Sequence, residues 1–390
     1  MTGEFDVVVV GCGPAGATAA YRLASAGARV LMLEKEALPR DKVCGGGVSA
    51  KAIREAPFPL LPVVERHARS ALVAYGGASA VPCERPGIGG MTRRAVLDSF
   101  MTGKAVAAGA VLRERSAFEG FEQHGDALEV RTSGGTVAAR VLVGADGVHS
   151  RVRRQLFPGP APPAVAAVEA LLWPAPGMLE VVGDTCVFDL GAIPGGYGWI
   201  FPKRDHLNVG LYRFVKRPDN VDMRALLEGY IARTPVLRSY ERIAVKGYPI
   251  PVRPVAPRLA SRGVVLVGDA AGVADPLFGE GIYFAIRSGN LAADAIAAAL
   301  EGRASLAAYD RAMRGLRFDL AAARLAARLL YASPRLGFRF GVRDPLVCRL
   351  FMGVIEGAVS PARALAGMAA LVPHMLVARP TPPVDSPIFA

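Results

Sequence analysis

Cysteine is scarce in this chain of 390 residues: Cys12, Cys44, Cys83, Cys186 and Cys348 are odd in number, widely spread, and never form a CxxC pair. A disulfide framework and a thiolate zinc site are therefore not expected, and the usage fits a reducing compartment. The five histidines are equally dispersed and lack the HExxH spacing, so no metal is expected either. No uninterrupted apolar run is long enough to span a bilayer. The first such run, residues 7–10, follows acidic residues and leads straight into a glycine turn, unlike a signal peptide. The expected setting is the cytoplasm, with the protein soluble or peripheral at the inner face of a membrane. Acidic residues are in deficit, 34 against 46 Lys and Arg, yet no block of consecutive basic residues stands out. That surplus favours anionic partners such as phosphates or an acidic lipid surface, and no nucleic-acid partner is expected. The 44 glycines and 30 prolines follow no short period, which excludes a repeat or collagen-like chain.

What is present begins with bulk. Apolar residues at 52% against 21% charged make the chain globular, and its length exceeds one compact core, so two domains are expected. Phe5-Asp6-Val7-Val8-Val9-Val10 reads as a strand buried on both faces. Gly11-Cys12-Gly13-Pro14-Ala15-Gly16 follows, then an alanine-rich helical segment closed by Gly27, then an apolar strand ending at Glu34 and Lys35. In this βαβ unit, residues 5–34, Gly11 makes the tight turn and Gly13 lets the backbone approach a pyrophosphate. Gly16 lets helix and strand pack closely, while the helix N-terminus faces the phosphates. Glu34 stands where a carboxylate accepts hydrogen bonds from an adenosine ribose and would repel a 2′-phosphate. A dinucleotide is the expected ligand.

Three later segments choose among dinucleotides. Val141-Leu142-Val143-Gly144-Ala145-Asp146-Gly147 is a buried strand entering a polar turn. Val264-Val265-Leu266-Val267-Gly268-Asp269 carries an aspartate just past a strand's C-terminal end, where ligands sit in a doubly wound sheet. Pro276-Leu277-Phe278-Gly279-Glu280-Gly281-Ile282 leads into a long helix. Together they resemble the flavoprotein superfamily that includes p-hydroxybenzoate hydroxylase, which implies FAD. By that resemblance Asp269 would bind the ribityl chain and Arg94 would reach the FAD phosphates. The backbone at 279–282 would face the flavin N1–C2=O edge, where a helix N-terminus stabilises the negative charge of reduced flavin. No second GxGxxG occurs, so an electron donor such as NADPH is expected to visit transiently.

Two further segments narrow the branch. Lys42-Val43-Cys44-Gly45-Gly46-Gly47-Val48-Ser49 is a loop whose glycines suit a backbone passing close to a flat ring. Tyr197-Gly198-Trp199-Ile200-Phe201-Pro202-Lys203, continuing to Asn208-Val209-Gly210, alternates large and small residues like a strand lining a pocket. The KxCGG loop and the YxWxFP strand resemble those of the geranylgeranyl reductase family, over roughly residues 5–300. The resemblance implies reduction of double bonds in a prenyl chain on a lipid, quinone or chlorophyll-like substrate. An isolated alkene needs a hydride and a proton; Cys44 is the candidate either for that acid, because a thiol can donate near neutral pH, or for orienting the alkene. Gly47, Tyr197, Trp199, Phe201, Pro202 and Gly210 are the candidate walls of an apolar substrate site. Tyr212 stands where the family pattern has a second glycine, and a tyrosine there could shorten or reshape the pocket.

The expected architecture is α/β: a Rossmann-type FAD-binding domain from 1–65, 87–157 and 258–300, an inserted antiparallel-sheet substrate domain from 66–86 and 158–257, and a C-terminal helical region with a tail, 301–390. At 3.6 residues per turn, Arg314, Arg317, Arg324 and Arg328 fall within an arc of roughly 80°. Such a helix suits either an anionic bilayer or a solvated protein face. An NAD(P)H-dependent aromatic hydroxylase shares the Asp146-Gly147 and Gly268-Asp269 motifs and is the main rival; oxygen uptake with an aromatic substrate would favour it. A flavin-dependent halogenase, with WxWxIP in place of YxWxFP, is weaker, and a flavin-binding partner protein without catalysis weaker still.

Overall fold

The computed structural model describes residues 5–77, 79–159, 164–215, 222–252 and 254–390. Two eight-stranded sheets carry the fold among these residues. The first has a parallel core in the order Val264–Leu266, Gly135–Gly144, Phe5–Val10, Val30–Leu33, Val111–Arg113. Val7 pairs with Val30 on one side and Val141 on the other. These strands are short valine and leucine runs because helices cover them: Pro14–Ser25, Arg94–Ala107 and Ile282–Leu300 pack against one another and the sheet. Closeness at the first turn requires glycine. Gly11 has φ +99°, and a Cβ on Gly16 would lie 2.0 Å from the Gly11 carbonyl oxygen.

The second sheet runs Tyr240–Ile250, Val165–Pro174, Leu207–Arg213, Gly196–Pro202, Thr185–Asp189, Arg66–Tyr75, Ser79–Met91, Gly47–Ser49. It is antiparallel except where Thr185–Asp189 pairs in parallel with Arg66–Tyr75. Two segments sit differently from the sequence expectation. Residues 87–91 extend the strand Ser79–Met91, and Gly47–Ser49 pairs with them, so both join this second sheet rather than the first. Three residues, one of them glycine, give too little alternation to announce a strand.

Within Gly196–Pro202 and Leu207–Arg213 the period of two divides the residues between two cores. Tyr197, Trp199 and Tyr212 join one cluster, while Ile200, Leu207, Val209 and Leu211 pack with Leu227, Tyr230 and Ile231 of the helix Met223–Arg233. The first face looks toward the parallel sheet.

After Ile282–Leu300 the chain is helical: Arg314–Ala332, Pro345–Glu356 and Pro361–Ala370 pack together over one end of the second sheet. The segment after Arg379, expected as a tail, docks instead. Val384 bridges to Ala80, and Ile388 is buried in the outer cluster of the second sheet. Apolar residues at its end explain this. Among the described residues no helix is long and apolar enough to cross a membrane.

Candidate active site

A cavity of about 250 Å³ lies between the two sheets. Its floor comes from the first sheet and its loops: Gly13, Pro14 and Ala15, Arg94, the strand ends at Ala145 and Gly147, Gly268 and Asp269, and Gly279, Gly281 and Ile282. The loop Cys44, Gly45, Gly46 and Gly47 forms a side wall. Tyr197, Trp199, Phe201, Phe188 and Tyr212 from the second sheet form the roof. Residues remote in sequence and expected to share a site do meet here.

The floor suits an anion at one end. The helix Pro14–Ser25 begins with no side-chain cap and no acidic residue in its first turn, leaving its first N–H groups for a ligand. Arg94 Nη2 lies 3.5 Å from where a Gly13 Cβ would stand. Asp98 grips Arg94 with two 2.8 Å hydrogen bonds and accepts another from Arg40 at 2.9 Å. Burial works against the Arg94 charge, but Asp98 outweighs it and the guanidinium stays protonated. Arg40 in turn meets Glu34 at 3.2 Å, and Glu34 accepts the Cys12 N–H at 3.1 Å. Glu34 is thus buried beside the glycine turn, one step from the cavity lining.

Several expected cofactor residues serve the frame instead. Asp146 does not line the cavity: it caps the helix Arg151–Leu156, accepting from Ser150 Oγ at 2.5 Å and from the N–H groups of Arg151 and Val152 at 2.7 and 3.2 Å. Lys35 is exposed and pairs with Glu36. Gly11 and Gly16 shape the turn, as expected from the sequence. Pro276 offers its carbonyl to Tyr212 Oη at 2.8 Å. Of the expected substrate residues, Gly210 lies beneath Trp199, whose ring would be 2.2 Å from a Cβ there, and Pro202 ends its strand outside the lining.

Tyr212 does more than narrow the pocket. Its hydroxyl, with those of Tyr197 and Tyr331, donates to three successive carbonyls: Pro276, Leu277 and Phe278. Three elements thereby pin the loop that presents 279–282 to the cavity. Asp275, at the base of this loop, is fully buried and pushed up to about 6 by that burial. Lys51 and Ser49 hold the loop's Glu280 at 2.7 and 2.5 Å.

Three polar residues at the site, Lys42, Lys203 and Glu169, were given no role by sequence reasoning. Lys42 reaches Asp269 at 3.4 Å. Lys203, buried just past the aromatic strand, donates to the carbonyls of Gly45 and Thr92 at 2.7 and 3.0 Å, and burial pushes it down to about 8. Glu169 lines the cavity and accepts the Cys44 N–H at 3.2 Å and the Asn208 amide at 3.1 Å. Burial pushes its carboxyl up against those two hydrogen bonds. Its one signal in sequence is being the lone charge in the run Val165-Ala166-Ala167-Val168-Glu169-Ala170-Leu171-Leu172.

Comparison with known proteins decides the family. Residues 5–160 match the family described as pyridine nucleotide-disulphide oxidoreductases. Digeranylgeranylglycerophospholipid reductase 1 of Methanopyrus kandleri is 32% identical over 323 residues, covering 76% of this chain and 82% of that one. The chain belongs to the geranylgeranyl reductase family. A chloroplastic geranylgeranyl diphosphate reductase of Oryza sativa subsp. japonica is 34% identical over 322 residues, 75% of this chain and 66% of that one. A geranylgeranyl bacteriochlorophyll reductase-like structure from Thermoplasma acidophilum has the same fold, with a TM-score of 0.76 at 22% identity over 95% and 97% of the two chains. Like other geranylgeranyl reductase relatives, the protein is an FAD-dependent oxidoreductase, and the uncapped helix with Arg94 and the glycine turn fits FAD's pyrophosphate. Hydroxylases and halogenases share this fold, so the fold alone leaves the reaction open.

Proposed function

We propose that this geranylgeranyl reductase relative saturates carbon–carbon double bonds of a prenyl chain carried on a lipid, quinone or chlorophyll-like substrate. The observation that carries the reading is the roof of the cavity: aromatic rings of Tyr197, Trp199 and Phe201 face the flavin-binding floor across a space that an apolar chain can fill. Bound FAD, once reduced by a transient donor such as NADPH, supplies the hydride for one alkene carbon. The protein must then deliver a proton to the other carbon. Cys44 is the group we assign to that step: it stands on the side wall between floor and roof, half-buried, with its sulfur accepting the Gly46 N–H at 3.4 Å. After transfer the thiolate regains its proton from solvent. Aromatic packing around the chain excludes water from the hydride path.

The helix Arg314–Ala332 supports a peripheral contact with an anionic bilayer, where such substrates reside. Phe318, Leu325 and Leu329 are 69%, 47% and 62% exposed, with Arg314 and Arg328 exposed at their flank.

The test is anaerobic. Photoreduced enzyme mixed with geranylgeranyl diphosphate or a geranylgeranylated lipid should return to the oxidised flavin spectrum, while mass spectrometry of the product finds two hydrogens gained per bond. If no prenyl substrate reoxidises the flavin, and a phenol instead stimulates NADPH-dependent oxygen uptake, the hydroxylase reading replaces this one.

A further inference from the structure

The polar chain in the cavity wall has a direction fixed by hydrogen-bond chemistry. An indole N–H can only donate, so Trp199 Nε1, 2.7 Å from Asn208, sets the Asn208 amide with its oxygen toward the ring. The Asn208 NH2 must then face Glu169, which accepts it at 3.1 Å with Oε2. The remaining oxygen, Oε1, accepts the Cys44 N–H at 3.2 Å. Glu169 is 4% exposed and stands on the strand Val165–Pro174, opposite Gly210 of the neighbouring strand. An acid in an apolar strand is costly unless both oxygens are engaged, and here both are, one by the roof and one by the side wall.

We propose that Glu169 is a positioning residue of the active site, tying the Cys44–Gly45–Gly46 loop to the Trp199–Asn208 pair so that thiol and aromatic roof keep one geometry across the cavity. Its two carboxylate oxygens span the two walls directly. Lys203 holds the same loop from below through the Gly45 carbonyl, so the loop is gripped at an N–H by Glu169 and at a carbonyl by Lys203. Losing the first grip frees Cys44 while leaving the second in place.

The arrangement allows a test by exchange of donors. Glu169→Gln preserves volume but places an NH2 against either the Cys44 N–H or the Asn208 NH2, whichever way the amide turns. Glu169→Gln with Asn208→Asp restores every partner: the introduced glutamine would accept from Cys44 and donate to the introduced aspartate, which would also accept from Trp199. The kinetic readout rests on the proposed alkene reduction, so a second readout does not: the rate at which iodoacetamide alkylates Cys44, followed on its peptide by mass spectrometry, with FAD content and thermal midpoint recorded for each variant.

Glu169→Gln should slow alkene-dependent flavin reoxidation about 10- to 100-fold, the cost of a misplaced reacting group. It should also speed Cys44 alkylation about 5-fold, the worth of a lost hydrogen bond, and the double variant should return both toward wild type. Wild-type alkylation and reoxidation in Glu169→Gln would overturn the proposal. A double variant that is folded and FAD-loaded yet as slow and as alkylation-prone as Glu169→Gln would also overturn it. If Glu169→Gln does not fold, Asn208→Ala, which removes the middle link, replaces it and must show the same faster alkylation. A wild-type enzyme that no prenyl substrate reoxidises would sink the proposed function while leaving the alkylation result to decide the role of Glu169.

Discussion

At the scale of single residues, two side chains carry predictions. Cys44→Ala should keep FAD and its reduction by the donor while slowing alkene-dependent reoxidation by about 100-fold or more, the usual weight of a positioned acid. Stopped-flow absorbance separates the two half-reactions, and wild-type rates in both would remove the thiol from the mechanism. Asp275 gives a pH signature. Its carboxyl is raised from 3.8 to about 6 in the folded chain, so the folded state binds the proton more tightly. The stability this contributes is complete below about pH 4 and is lost as pH rises through about 6. Asp275→Asn should therefore flatten the change in Tm between pH 4 and 7, read by calorimetry; an unchanged slope would refute the assignment. Legibility at this scale was uneven. Cys44, Arg94 and Asp269 line the cavity, and each is marked in the sequence by a motif whose spacing has a physical reason. Glu169 and Asn208 were not, because their partners lie far along the chain and only strand pairing brings them together. Asp146 misled for the same reason in reverse: an acid in a motif can serve the next helix rather than the ligand.

At the scale of elements, the loop before the long helix Ile282–Leu300 and the helix Arg314–Ala332 behave differently from their sequence patterns. Tyr212→Phe removes one of three hydroxyls that hold the 276–278 carbonyls. Leaving that carbonyl unpaired costs about 1–3 kcal/mol, so Tm should fall by a few degrees, and the flavin absorption band should shift as the 279–282 turn loosens. No change in either would mean the tyrosine only fills space. For the helix, the arginine arc proved partly occupied: Arg317 pairs with Asp310 at 3.3 Å and Arg324 donates to the Val252 carbonyl at 2.6 Å. What faces outward is an apolar stripe edged by the other two arginines. Leu329→Glu should abolish co-sedimentation with vesicles containing anionic lipid without lowering Tm, and high salt should weaken the wild-type binding. Binding that survives the substitution would locate the contact elsewhere.

At the scale of the whole molecule, the cofactor cavity lies between the two sheets, with the 42–49 loop crossing from one to the other. A ligand that binds only the folded chain stabilises it by mass action, about 2.7 kcal/mol when present at 100 times its Kd. Removing FAD should therefore lower Tm by roughly 3 °C. The 42–49 loop should become the earliest site of limited proteolysis. A flavin-free protein of equal Tm and equal protease resistance would show that the two sheets are held by their own contacts alone. The docking of Ile388 against the outer cluster makes the end of the chain part of the second sheet's packing.

The sequence by itself determined the parallel core, the glycine turn and the order of the flavin-facing segments. Those depend on local rules: valine runs for covered strands, glycine where backbones touch, an acid or a helix start at a strand's end. Only the tertiary structure decided which strands share the second sheet, which face of Arg314–Ala332 meets solvent, and that Glu169, Asn208 and Trp199 stand in line behind Cys44. Hydrogen bonds between residues 125 and 39 positions apart leave no period in a sequence; antiparallel pairing, with Glu169 opposite Gly210, brings Asn208 to Glu169, and the loop at the cavity's side wall brings Cys44.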